Sequence, residues 1–375
     1  EAITSSAFVE ERLFEQDKND ALGDFGRFAN AFDVSTAMPL VLYLATEANL
    51  SGQLKDALSI LKSYILRRDT CGLTTKNYNK HFVGLIPKMR EATIDQVDFL
   101  RESLSDRSSD IDRWPDDEEW KTAWMSRDQY GTARQPRLNY LFEVIEKALR
   151  SERNEDIDIK SALTIEHIMP QKWQGNWVIP GYEDVDVDEA DPDYRNKMFT
   201  RNRVVNTFGN LTLLTQKLNS SVSNGPYKVK MPAIRAHSSL ALNRDLNAWN
   251  HWDEDTIRQR GEMLFKEAQK IWLAPQRKDG FVKTSEGLAG MTTEVRKGFP
   301  KDGTKCDFTY GETIYRGEIV SGSIVLAGVS EQFGSFSAAS KHITKTSRNG
   351  WNDWYLDLPN GQRMLADHWR KSSEA

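Results

Sequence analysis

Along residues 1–150, apolar positions recur at spacings of three and four. The runs "DALGDFGRFANAF" (20–32), "LKDALSILKSYILRR" (54–68) and "RLNYLFEVIEKALR" (137–150) each gather their large side chains onto one stripe. That spacing predicts helices that bury a single face. A polar stretch rich in Ser, Asp and Pro, "SDRSSDIDRWPDDEEW" (105–120), breaks the run as a loop. No residue of this region reads as catalytic, and Arg67, Arg68 and Lys76 read as exposed basic residues on a helical scaffold.

The period changes near residue 159. "ALTIEHI" (162–168) and "GNLTLLT" (209–215) carry the β-branched enrichment of strands. Helical spacing returns in "QKLNSSVSN" (216–224) and in 241–272. The stretch 273–290, mixed in Pro, Gly, Lys and Ser, reads as a linker. Beyond it, "CDFTYG", "TIYRGEIV" and "SIVLAG" predict short strands set off by glycine turns, and a serine N-cap before a short helix is expected in "SFSAASKHIT" (335–344). The expected fold class is therefore α+β. A helical scaffold covers 1–158, a strand–strand–helix core with flanking helices 159–272, and a small mixed β/α domain 291–375.

Composition narrows the setting. The chain has 375 residues, enough for two or three domains. It begins at Glu1 without a methionine and reads as part of a longer protein. Its longest apolar run, "AMPLVLYLA" (37–45), is too short to span a bilayer, so no membrane partner is expected. The two cysteines, Cys71 and Cys306, are too few and too far apart for a disulfide framework or a structural zinc site, and a cytoplasmic setting is the default. The net charge of −5 hides a polarity: 183–193 holds seven acidic residues, whereas 195–244 holds nine Lys/Arg and no acid. Such an acid-free stretch suits a surface that lies along phosphates, and equally a solvated face neutralised by the acidic loop before it.

Candidate chemistry concentrates in "LTIEHIMPQ" (163–171) and in two strings downstream. Glu166 stands beside His167, Asn210 lies in "GNLTLL", and Asn219 lies nine residues later in the helical stretch. Phosphodiester hydrolysis needs a base for the attacking water and a cation against the developing charge. Histidine suits the first role, and the oxygens of Glu166 and Asn219 suit a hard ion such as Mg²⁺ or Mn²⁺. Asn210 has the donor and acceptor needed to tie down the loop after His167. Lys228 and Lys230 after the metal-site helix, and Arg203 before the second strand, are the expected phosphate contacts. His237 in "RAHSSL" reads as an ordinary polar histidine.

These strings, "EHIMPQ", "GNLTLL", "LNSSVSN" and "PYKVK", closely resemble the HNH-type nuclease domain of GmrSD-like modification-dependent restriction enzymes. The helical "SYILRRDTCGLTTKNYNKHF" (63–82) also resembles the region ahead of that domain in the family. The resemblance implies a ββα-metal core with His167 as general base, Glu166 and Asn219 as metal ligands, and Asn210 as organiser of the site. It implies double-stranded DNA as substrate. It also implies control by a nucleotide-hydrolysing domain that would lie upstream or on a partner chain, and a homodimer for cutting both strands. The C-terminal "YRG" (315–317), "SFSAASKHIT" and "NGW" (349–351) resemble the RAMA domain, a suspected reader of modified bases. Phe336, Ser337, Asn349, Trp351 and Trp354 are then the candidate base contacts, while either tryptophan serves as well as core. Two other readings remain open at this point, a modified-DNA binder without catalysis and an RNA-directed nuclease.

Overall fold

The computed structural model describes the chain except residues 1, 18, 49, 51, 106–111, 151–160, 183–191, 276–298, 312, 330, 347, 359–360 and 374–375. The acidic loop and nearly all of the expected linker thus lie outside the described residues. The fold is α+β, with an N-terminal helical region, a two-stranded sheet and a six-stranded C-terminal sheet. No helix among the described residues is long and apolar enough to cross a membrane.

The chain divides into two compact units. The first comprises 1–27, 34–120 and 274–375, and the second 28–33 and 121–273. Six helices lead the chain: α1 (Ala2–Glu15), α2 (Ala21–Phe32), α3 (Met38–Thr46), α4 (Leu54–Thr70), α5 (Tyr78–Glu91) and α6 (Gln96–Ser105). The expected loop at 105–120 gives way early to α7 (Asp117–Ser126), whose first turn holds Asp117, Glu118 and Glu119. Negative charge there is favoured by the exposed N–H groups and the dipole of a helix start.

Arg67 and Arg68, expected on the surface, are instead fully buried at the C-terminal end of α4. Arg67 stacks 4.2 Å over the ring of Trp120 and donates to Pro115 O and Asp117 Oδ1. Arg68 donates to Arg113 O at 2.6 Å, Thr74 O at 2.7 Å and Tyr78 Oη at 3.2 Å. A guanidinium has five donors in a planar fork, so it can be buried once carbonyls meet it on several sides. Lys76 is exposed, as expected.

The second unit carries α8 (Gln135–Leu149), β1 (Leu163–His167), α9 (Pro192–Val204), β2 (Leu211–Thr215), α10 (Gln216–Val222), α11 (Tyr227–His237), α12 (Ala241–Arg244) and α13 (Glu254–Ile271). Strands β1 and β2 pair antiparallel, with His167 opposite Leu211 and Glu166 opposite Thr212. The long helix α13 begins with a capping box between Asp253 and Thr256. It presses on the turn before β2 so closely that a methyl group on Gly209 would lie 2.0 Å from Ile257 O. Arg260 of α13 is fully buried there and donates to Gly209 O and Leu211 O. These bonds fix the start of β2 from behind.

The C-terminal part of the first unit is an antiparallel sheet. Its strands are β3 (Lys305–Tyr310), β4 (Thr313–Val320), β5 (Ser323–Leu326), β6 (Gln332–Phe333), β7 (Trp354–Asp357) and β8 (Arg363–Leu365). Their spatial order is β6-β5-β4-β3-β7-β8. Two helices accompany it, α14 (Phe336–Thr344) and α15 (Ala366–Ser373). Helix α14 is capped by Ser335 Oγ, which accepts from Ala338 N at 3.1 Å, the cap expected from sequence. Backbone bonds join this part to the helical part of the unit: Asn349 N donates to Gly72 O, and Arg348 bridges to Leu73.

Candidate active site

Strand β1 is a five-residue element, and its alternation sets the site. Thr164 and Glu166 point to one face, Ile165 and His167 to the other. Helix α10 follows β2 directly, capped by Thr215 Oγ1, which accepts from Leu218 N. This places Asn219 over the Thr164 face. Its Nδ2 donates to Thr164 Oγ1 at 2.9 Å and more weakly to Ile165 O at 3.4 Å, which turns its Oδ1 away from those partners.

Glu166 meets a cation that belongs to the protein. The Lys230 ammonium, from α11, is fully buried and pairs with Glu166 Oε1. Its other bonds go to His167 O at 2.6 Å and Ser223 O at 2.9 Å, so all three ammonium donors are used. Ser223, just after α10, has φ 35°, a backbone state uncommon for serine, with its carbonyl on Lys230. Burial pushes the Glu166 carboxyl up and the Lys230 amine down, each opposed by the charge of the other. Lys230, expected to contact phosphate, is therefore an internal tie between β1 and the end of α10. Lys228 is exposed and Arg203 is half-buried beside Phe199.

Asn210 ties the loop after β1. Its Oδ1 accepts from Met169 N and Trp252 Nε1, and its Nδ2 donates to Met169 O and Val205 O, all within 2.9 Å. Its carbonyl also accepts from Ile168 N. The side chain is fully buried, with its amide committed to the loop and its neighbours. Apolar burial of Ile168, Met169 and Trp173 locks the same loop into the core of the unit.

His167 is buried, and burial lowers its pKa to about 4 against the opposing effect of its hydrogen bond with Asn206. Nε2 lies 2.9 Å from Asn206 Oδ1. Gln171 Nε2 donates to the same oxygen at 3.0 Å, and Asn206 Nδ2 donates to Asp128 Oδ2 at 2.8 Å. The edge of Tyr130 packs on the imidazole with ring centroids 4.3 Å apart. Reading along the sequence missed Asp128, Tyr130, Gln171 and Asn206. Asp128 lies in the region expected to hold no chemistry, and the one local signal is the spacing Asp128 to Gly131. A methyl group on Gly131 would lie 2.8 Å from the Asp128 carboxylate, so a larger residue there would push that side chain aside.

Residues 114–267 match the family model for the GmrSD restriction endonucleases, C-terminal domain. This segment is similar to the GmrSD C-terminal domain. It takes in every side chain of the three networks just described, from Asp128 to Trp252, and begins well ahead of β1. A search of curated proteins gave no match. The match supports a restriction-endonuclease family role for this segment, in a family of nucleases that act on DNA.

The candidate reader residues divide by burial. Phe336 and Trp354 are fully buried in the sheet core, and Trp354 Nε1 donates to Ser340 Oγ at 3.0 Å. They are core, not a stacking surface. Ser337 Oγ accepts from Gly350 N, and a methyl group on Gly350 would lie 2.1 Å from Phe336 C, so this glycine is required by close approach. Trp351 and Asn349 are partly exposed. His237 is exposed at the end of α11.

Proposed function

We propose that the chain is an HNH-type endonuclease that cuts or nicks modified DNA with a divalent metal, and that His167 activates the attacking water. The observation that carries this reading is the fixing of His167 at one ring nitrogen. Asn206 Oδ1 accepts from Nε2, which leaves Nδ1 with its lone pair as the nitrogen that takes a proton.

The donor set fits a hard cation in type: a carboxylate at Glu166 and an amide oxygen at Asn219, whose NH₂ is already committed to Thr164. Lys230 shares Glu166, so the carboxylate would serve both cations or exchange one for the other. Bound there, Mg²⁺ or Mn²⁺ would supply Lewis-acid stabilisation of charge on the phosphate and the leaving oxygen. The protein's own part is to hold the base. His167 Nδ1 removes a proton from water, the water oxygen attacks phosphorus, and the P–O3′ bond breaks; the leaving 3′ oxygen takes a proton from solvent, which leaves 5′-phosphate and 3′-hydroxyl ends. Lys228 and Arg203 suit contacts to the phosphate backbone, which add affinity without sequence preference.

Selectivity would then come from the C-terminal module, where Trp351, Ser337 and Asn349 are the partly exposed candidates for reading a modified base. One such site cuts one strand, so a double-strand break takes a dimer or two sequential nicks. Control by a nucleotide-hydrolysing domain upstream or on a partner chain, and action in the cytoplasm, fit the same reading.

The test is cleavage of matched plasmids, unmodified and modified, with Mg²⁺ or Mn²⁺, by the native chain and by His167→Ala. Metal-dependent cutting that prefers one modification and falls about 10²- to 10⁴-fold in the variant is the expected result. Equal behaviour of native and variant chains would sink the catalytic reading. A second reading, a modified-DNA binder without catalysis, draws on the Lys230–Glu166 pair, which already neutralises the carboxylate. Modification-selective binding without any metal-dependent cutting would favour it.

A further inference from the structure

The amide of Asn206 is a two-sided group whose orientation decides what His167 can do. Its carbonyl edge, turned to the ring, makes Nε2 a donor; its NH₂ edge would make Nε2 an acceptor and move the ring proton to Nδ1. A neighbouring carboxylate selects between them. Asp128 Oδ2 lies 2.8 Å from Asn206 Nδ2 and accepts from it. The NH₂ edge is thereby drawn to Asp128 and the oxygen is left for His167 and for the donating Gln171 Nε2.

The loop carrying Asp128 is built to hold this arrangement. Gln129 N and Tyr130 N donate to Asn206 O at 3.1 and 3.3 Å, so the backbone of Asn206 is gripped by the same turn that grips its side chain. Gly131 N donates to Asp128 Oδ1, which sets the carboxylate, and Tyr130 closes over the imidazole from the same turn. Asp128 itself is buried. Three successive residues thus act on His167 or on the residue that contacts it. None of them belongs to the strand–strand–helix motif.

We propose that Asp128 is a positioning residue that fixes, through Asn206, the Nε2-protonated tautomer and the orientation of His167. Its consequence for catalysis rests on the reading of His167 as the base. Its structural content does not.

The experiment uses the full chain labelled with ¹⁵N-histidine, in which ring-nitrogen shifts separate protonated from bare positions. Six histidines are present, and the spectrum of His167→Ala identifies the signals of interest. The native chain should show Nε2–H at His167. Asp128→Ala frees the Asn206 amide to turn, so the population should move toward Nδ1–H. The kcat for plasmid cleavage should fall on the order of tenfold to a hundredfold with KM unchanged. Asp128→Asn keeps an oxygen that accepts from Asn206 Nδ2 and should restore both the native pattern and most of the rate. If Asp128→Ala does not fold, Asn206→Ala breaks the same link from its other side and is read in the same way. An unchanged ring pattern in these variants overturns the proposal, even if the rate falls. If the pattern shifts while His167→Ala cuts as the native chain does, Asp128 still positions the ring, and the base reading is what fails.

Discussion

The strand–strand–helix region and the C-terminal sheet both carry short recognisable strings, and the residues in those strings have opposite fates. In the first, the polar members make the working contacts: Asn210 ties the loop at 168–169, Lys230 pairs with Glu166, and Asn219 holds Thr164. In the second, the aromatic members Phe336 and Trp354 disappear into the core, and Gly350 serves close packing. A polar residue buried within a small motif points to a hydrogen-bonded network, because a buried polar group is costly without partners. A tryptophan in such a motif points first to packing, because nothing else fills so much volume.

Substitutions break this comparison at different strengths. Trp354→Ala should cost about 3–5 kcal/mol, as expected for emptying a buried tryptophan site. Chemical denaturation would show it, and a loss below about 1 kcal/mol would return Trp354 to the surface. Lys230→Met leaves the Glu166 carboxylate without its partner and should cost a similar amount, about 3–5 kcal/mol. Adding Glu166→Gln to that variant should recover much of the loss, and failure to recover would mean that the pair is not coupled. Asn210→Ala strands the groups of Met169, Val205 and Trp252 and should cost about 3 kcal/mol together with activity. The contrast is His167→Ala, for which the melting temperature should hardly move while the rate falls. Trp351→Ala should cost only about 1 kcal/mol of stability. If Trp351 stacks on a base, binding to modified DNA weakens by about 1–3 kcal/mol in a titration, and if it is only packing, binding is unchanged.

The smallest effect is electrostatic and lies in the helical part. Burial alone would raise the Asp24 carboxyl, but Lys62 and Arg27 outweigh it and hold the group below its ordinary value. The folded pKa is thus below the unfolded one, and the unfolded chain takes up the proton first as the pH falls. The stabilisation is fully present above about pH 4–5 and fades as the pH drops through the folded value. Asp24→Asn should narrow the difference in stability between about pH 6 and pH 3, and an unchanged pH dependence would remove Asp24 as a contributor.

Most elements were legible because their signals are local. The β-branched enrichment of 162–168 and 209–215, the glycine-bounded strands of 305–326 and the Ser335 cap each need only a few neighbouring residues. The failures are non-local. Arg67 and Arg68 look like surface charge until Trp120, Arg113 and Tyr78 are brought around them. Lys230 sits in a basic run and looks solvated, yet its partner is 64 residues away. Asp128 and Asn206 are 78 residues apart, and neither stands in a distinctive string. An aspartate and an asparagine acquire meaning only from what they face.

The pairing of Leu73 with Arg348, and of Gly72 with Asn349, ties residues from opposite ends of the chain into one compact unit. That has a bearing on how the molecule emerges from a ribosome. At about 5–20 residues per second, roughly 5–20 s pass between synthesis of residue 274 and of residue 375. Through that interval the helical part waits for the sheet that completes its unit, whereas every residue of the segment that matches the GmrSD model has already been made.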